Sequence, residues 1–212
     1  MELRSDVLII GSGIAGLSFA LKAAGNGTVA IVTKKDRLET NTNYAQGGIA
    51  SVLGPDDSFQ LHIEDTLTAG DGLCHPDIVE LVVRSGPDRI AELMELGAPF
   101  STGPDEDSPF DLGREGGHSR NRIVHAQDAT GKAVEAVLVS AAESHPNIRI
   151  FENHLVLDLI VEHHSIKAGS IAIRQQDTCH GAYVLDINGQ EIHHFLARAV
   201  LLCTGGAGKV YL

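Results

Sequence analysis

Gly11-Ser12-Gly13-Ile14-Ala15-Gly16 is the first stretch of this 212-residue sequence whose residue types and spacing suit a defined chemistry. In a G-x-G-x-x-G run the first glycine permits a tight turn, the second lets backbone approach a pyrophosphate, and the third lets helix and strand pack closely. The start of the following helix then offers N–H groups and a positive dipole end to the phosphates. The run carries this meaning only where a strand precedes it and a helix follows. In the plain NAD pattern an acid about 20 residues further on holds a ribose 2′-hydroxyl. That position reads Thr33-Lys34-Lys35, and the carboxylates of Asp36 and Glu39 come later. A lysine there suits a 2′-phosphate, hence NADP, or a different use of the ribose contact.

The elements that must position this turn can be read on either side of it. Asp6 to Ile10 is an apolar run of the kind buried on both faces of a sheet. Ile14 to Ala24 carries Ile14, Leu17 and Leu21 at helical spacing and stops at Gly25-Asn26-Gly27. Thr28 to Thr33 is a second buried strand, so the opening predicts a βαβ unit with a right-handed crossover. Lys34 to Gly54 has no sustained period. Helices are expected over 58–69, over 76–84, and from the Ser85-Gly86-Pro87-Asp88 break to Gly97. A loop over 98–113 follows, then a helix over 130–144 with Val134, Val137, Leu138 and Ala141 on one face. From Asn147 the period shifts towards two. Strands are predicted near 148–152, 155–161, 169–174, 182–187 and 190–196, with a hairpin turn at Asn188-Gly189 and a last strand from Arg198 to Cys203. The predicted fold class is α/β, a Rossmann-like parallel sheet plus a smaller antiparallel β-meander.

Four further segments matter in combination. Residues 41–50 read Asn-Thr-Asn-Tyr-Ala-Gln-Gly-Gly-Ile-Ala. Arg114-Glu115-Gly116-Gly117-His118-Ser119, then His125-Ala126-Gln127-Asp128-Ala129-Thr130-Gly131, then Leu202-Cys203-Thr204-Gly205-Gly206-Ala207-Gly208 follow in order. Together they make the sequence resemble the flavoprotein subunits of the fumarate reductase and succinate dehydrogenase family, and within it the members that oxidise L-aspartate. The resemblance runs from residue 6 to residue 212. It implies FAD and a Rossmann-like FAD-binding domain over residues 1–212. Gly11, Ser12, Gly13, Ile14, Ala15 and Gly16 would lie at the pyrophosphate, with Thr33 and Lys34 near the adenosine end. Asn41, Thr42, Asn43, Tyr44, Ala45, Gln46, Gly47 and Gly48 would wrap the isoalloxazine side. Leu155 and Val156 would meet the adenine through backbone groups, and Thr204 and Gly205 belong to the strand-plus-glycine element near FAD. Relatives that attach FAD covalently carry a histidine where this chain has Asn41. An asparagine amide cannot form the histidyl–flavin bond, so non-covalent FAD is expected and a respiratory succinate dehydrogenase is disfavoured.

The same resemblance assigns the substrate side. Reduction of a flavin by an amino acid needs the α C–H near the flavin N5, and a dicarboxylate must be oriented by cations. Aspartate differs from succinate by an ammonium group, which a loop carboxylate would attract while repelling a plain dicarboxylate. Glu115 holds that place in the family loop, where the succinate enzymes commonly have a neutral residue. Arg114, Arg120 and Arg122 are either bidentate carboxylate binders or surface charges paired with the acidic loop at 105–111. His118 is either a flavin or substrate contact or a solvated loop residue.

Composition narrows the remaining classes. Sixteen Lys and Arg against 28 Asp and Glu give a net charge of −12, which provides no bias towards nucleic acid or an anionic membrane. Met1-Glu2-Leu3-Arg4-Ser5-Asp6 lacks the basic n-region and long apolar stretch expected of a signal peptide, and no apolar run approaches the roughly 18–20 residues that span a bilayer. Three scattered cysteines suit a cytoplasmic protein with reduced thiols. Cys74-His75 and Cys179-His180 lack zinc spacing, and His163-His164 and His193-His194 put adjacent rings on opposite strand faces, so no metal is expected. Members of the resembling family continue well beyond the point matching Leu212, with a capping domain and an arginine base. The chain is therefore expected to be the N-terminal part of a longer oxidase and inactive alone. The leading expectation is FAD-dependent oxidation of L-aspartate to iminoaspartate with oxygen or fumarate as acceptor, in quinolinate and NAD biosynthesis, with coupling to quinolinate synthase. The alternatives are a soluble fumarate reductase with non-covalent FAD, and a module that holds FAD or NAD(P) without catalysis.

Overall fold

The computed structural model describes residues 1–103, 109–127, 129–162, 166–167, 170–171 and 178–206. The chain divides into two compact units, Met1–Asn41 with Leu138–Leu212, and Thr42–Val137.

In the first unit, β1 (Glu2–Ile10), α1 (Ile14–Ala23) and β2 (Val29–Val32) form the expected βαβ unit. β1 and β2 are parallel, with Val7 to Ile10 opposite Val29 to Val32. Leu8, Ile9, Leu17 and Ile31 are completely buried, which is why these short apolar runs hold as strand and helix. β6 (Ile148–Phe151) extends the parallel sheet beyond β2. On the other side lie β11 (Glu191–Leu202), β10 (Cys179–Asp186) and β7 (His154–Val161). The order is β6-β2-β1-β11-β10-β7. β11 is parallel to β1, whereas β10 is antiparallel to both of its neighbours, β11 and β7. The meander is therefore continuous with the parallel sheet. The strands expected at 190–196 and 198–203 are one strand, because no glycine or proline interrupts residues 191–202.

One apolar cluster joins both parts of this sheet: Leu8, Ile10, Ala30 and Val32 pack with Ala182, Val184 and Phe195. Phe151 meets Phe195 edge-to-face at 4.9 Å. Each fully buried aliphatic or aromatic side chain contributes roughly 1.5–3 kcal/mol. The Asn188-Gly189 turn forms as expected, and Asp186 Oδ1 accepts both of its backbone N–H groups at 3.0 Å. β8 (Ile166–Lys167) and β9 (Ser170–Ile171) pair with each other. The rest of the strand expected at 169–174 lies outside the described residues, as do His163-His164.

In the second unit, α2 (Phe59–Ala69) is capped by Ser58, whose hydroxyl accepts the Leu61 N–H at 3.2 Å. α3 (Pro76–Glu95) is one helix where the sequence predicts two. Pro87 lacks the N–H that would continue the ladder, but Val83, Ile90 and Leu93 form one buried stripe across it. Packing of that stripe outweighs the local break. β3 (Ile49–Ala50), β4 (Leu112–Gly113) and β5 (Ile123–Val124) make a small antiparallel sheet in the order β3-β5-β4. α4 (Thr130–Ser144) leads from this unit into the first. Its buried positions include Val134, Glu135, Leu138, Val139 and Ala142, so its buried face is rotated from the one expected at 134, 137, 138 and 141. Among the described residues no helix is long and apolar enough to cross a membrane.

Candidate functional site: a glycine turn and a buried arginine cluster

In the first unit the G-x-G-x-x-G run sits between β1 and α1. Gly11 has φ +112°, and a side chain there would overlap the carbonyl of Cys203. A side chain on Gly16 would overlap the carbonyl of Gly11, so α1 rests directly on the turn. Gly13 is the N-cap of α1, with no side-chain cap and no acid in the first turn. That helix end is electrostatically suited to a phosphate. Glycine-only approaches at both ends of the turn, with an uncapped helix start between them, fit a dinucleotide pyrophosphate.

The Ser12 hydroxyl is turned inward, donating to the Arg37 carbonyl at 3.0 Å and accepting from the Thr33 hydroxyl at 3.2 Å. Thr33 is buried at the end of β2, and its carbonyl accepts the His154 N–H at 2.9 Å; Lys34 is exposed. No carboxylate follows β2 directly. Instead Arg37 closes the loop through Glu152 at 2.9 Å and Glu143 at 2.8 Å, residues the sequence did not single out. Asn41 stands beside Gly205, so the start of the amide-rich segment and the Thr204-Gly205 element meet in this unit. Leu155 and Val156 lie on β7, the last strand of the sheet among the described residues.

In the second unit, Thr42, Asn43, Tyr44 and Ala45 form a turn closed by the Ala45 N–H on the Thr42 carbonyl at 3.1 Å. The Gly131 N–H donates to the Ala45 carbonyl at 3.1 Å, and a side chain on Gly131 would strike both carbonyls. The turn is thus seated on the first residues of α4. Gln46 and Gly47 are exposed and Gly48 half-buried. Glu115 comes to this segment: a side chain on Gly47 would lie 3.1 Å from Glu115 Oε1. Two segments singled out separately in the sequence are therefore neighbours here.

His118 and the arginines resolve differently from one another. Arg122 is fully buried and makes a bidentate pair with Asp57 at 2.8 Å for both bonds. It also donates to Asp65 at 2.6 Å and to His118 Nδ1 at 3.2 Å. A guanidinium only donates, so His118 Nδ1 is the acceptor of this bond. Arg122 is thus neither a free carboxylate binder nor a surface charge. Arg120 binds the Asp56 carbonyl at 3.0 Å, and Arg114 is exposed. Most of the acidic loop at 105–111 lies outside the described residues.

Burial pushes the Asp65 carboxyl up, but the Ser119 N–H and hydroxyl and the Arg122 guanidinium outweigh it and hold it at about 2. His62 is buried beside this cluster, with its ring 5.7 Å from that of His118. Burial, then the Arg122 charge, keeps its pKa below the ordinary histidine range. Sequence reasoning missed Asp57, His62 and Asp65. The available signal was the i, i+3 spacing of His62 and Asp65, which puts two polar groups on one face of α2.

Comparison with known proteins gives a consistent picture. The FAD binding domain family matches residues 6–211. The chain is 45% identical over 206 residues to "L-aspartate oxidase 2-a, chloroplastic" of Nicotiana tabacum, covering 97% of this chain and 30% of that protein. It is 45% identical over 207 residues to the L-aspartate oxidase of Acinetobacter baylyi, covering 98% of this chain and 37% of that one. The chain therefore spans about a third of the length of these curated relatives. Among solved structures it superposes on E. coli quinol fumarate reductase FrdA with a TM-score of 0.87 at 31% identity, covering 100% of this chain and 34% of that chain. On the apo Sdh1 complex of Mycobacterium smegmatis the TM-score is 0.83 at 29% identity, covering 98% and 35%.

Proposed function

The chain belongs to the FAD binding domain family, and from that premise we propose that it holds FAD non-covalently and serves the oxidation of L-aspartate to iminoaspartate. Oxygen or fumarate would accept the electrons, and the product would feed quinolinate and NAD biosynthesis. FAD, when bound, supplies the two-electron acceptor. The chain's own residues would bind and orient. The Gly11–Gly16 turn and the α1 start would take the pyrophosphate. Thr33 and Lys34 would face the adenosine end, and the Leu155 and Val156 backbone would face the adenine. Residues 41–48 would flank the isoalloxazine, where Asn41 offers no covalent attachment. The observation that carries the substrate reading is the Glu115 carboxylate set against Gly47. A carboxylate at that place favours a substrate with an ammonium group over a plain dicarboxylate. The 44–45% identity to proteins named L-aspartate oxidase supports the same choice.

That the 212 residues act as the FAD-binding part of a longer oxidase belongs to this proposal, supported by the relatives' greater length. So do a cytoplasmic location and a coupling to quinolinate synthase, tested by fractionation and co-purification. A second reading is a fumarate reductase, favoured by the structural likeness to E. coli quinol fumarate reductase. The experiment is anaerobic flavin bleaching in the intact protein, with L-aspartate and with succinate. L-Aspartate should bleach the flavin and succinate should not, and Glu115→Gln should slow bleaching by aspartate on the order of tenfold or more. Bleaching by succinate alone would overturn the reading in favour of the second. Acid precipitation should leave all FAD in the supernatant. The 212-residue chain alone should bind FAD with little turnover.

A further inference from the structure

We propose that His154, Asp186 and His193 form a binding site for one divalent transition-metal cation of the zinc class. The three come from different strands. His154 opens β7 and stands opposite Asp186, the last residue of β10. His193 on β11 stands opposite Val184, two residues before Asp186 and so on the same face of the strand. All three therefore share one face of the meander at its turn end, and one donor atom from each lies within 4.8 Å of the others. Two imidazoles and a carboxylate are the donor set that zinc-class cations prefer.

The surroundings prepare these donors. The His154 Nδ1 lies 2.6 Å from the Glu152 carbonyl. A carbonyl only accepts, so Nδ1 bears a hydrogen and Nε2 is the nitrogen left to face a cation, the orientation that an outer hydrogen bond gives a metal-binding histidine. Asp186 Oδ1 is fixed by the Asn188 and Gly189 N–H groups. His193 is 7% exposed, and its Nδ1 lies 3.3 Å from the Met1 amino group, which a cation would replace or recruit as a further donor. The Phe151 and Phe195 rings pack against His154 edge-on and hold it in place. Donors around zinc stand roughly 3.3 Å apart, and small side-chain rotations close the difference.

The test is calorimetric titration of the untagged, chelator-stripped 212-residue chain with zinc chloride alone. One equivalent should bind, and His193→Gln and Asp186→Asn should each weaken it by about 10–100-fold, while His145→Gln, remote in the sequence pattern, should not. Circular dichroism checks each variant's fold, and Asp186→Asn decides if His193→Gln fails to fold. Zinc should also raise the melting temperature of the parent chain and not of Asp186→Asn. No saturable uptake at about 100 μM zinc, or uptake that Asp186→Asn leaves unchanged, would overturn the site.

Discussion

At the scale of single residues, Arg122 sets the chemistry of the second unit. Its guanidinium and the Asp57 side chain are completely shielded from solvent. Removing the Asp57 charge leaves Asp65 as the remaining carboxylate on the buried guanidinium, so the cost is about 1–3 kcal/mol, below that of a wholly unpaired buried charge. Asp57→Asn should therefore lower the unfolding free energy by that order, measured in urea at neutral pH. The pH dependence follows from two groups with the same sign. Asp65 is held at about 2 against an ordinary 3.8, so its stabilisation is complete well above pH 3.8 and is lost as pH falls towards 2. His62 is depressed below 6.5, mainly by burial, so its contribution is present above that value and is lost on acidification below it. Stability should start to fall just below neutrality. His62→Asn should flatten the upper part of the curve and Asp65→Asn only the part below about pH 4, as chemical denaturation at stepped pH would register.

At the scale of elements, the glycine turn was readable because its rules are local. Strand, glycines and helix lie within 24 residues, and Gly11 and Gly16 each have a steric reason that spacing alone suggests. The same local logic found the Asn188-Gly189 turn and the α2 start. It failed where distant packing decides. Pro87 reads as a stop in any window, yet a buried stripe on both sides carries α3 through it. The partners of Arg122 lie 57 and 65 residues away, and His193 meets His154 across 39 positions, so no local window joins either cluster. Asn41 beside Gly205 and Glu115 beside Gly47 were legible only as separate segments. Gly16→Val should show how tight the turn is. The added side chain meets the Gly11 carbonyl, so FAD affinity should fall by about 100-fold or more, read by flavin fluorescence quenching.

At the scale of the whole molecule, the chain folds as two compact units that meet in sequence at Asn41 and Thr42. Each unit has its own sheet. Within the first, β11 is a strand of twelve residues, and its residues 194–196 are bonded to β1 on one side and β10 on the other. Its continuation, the Cys203 N–H, donates to the Ile10 carbonyl at the edge of the glycine turn. In deuterated buffer, the amides of residues 194–196 should exchange only through global opening, more slowly than those of β8 and β9. A strand shared in this way makes one cooperative block of the nucleotide turn and the meander. Loosening the hairpin at Asn188, far along the backbone from Gly11, should therefore quicken deuterium uptake at the turn as well.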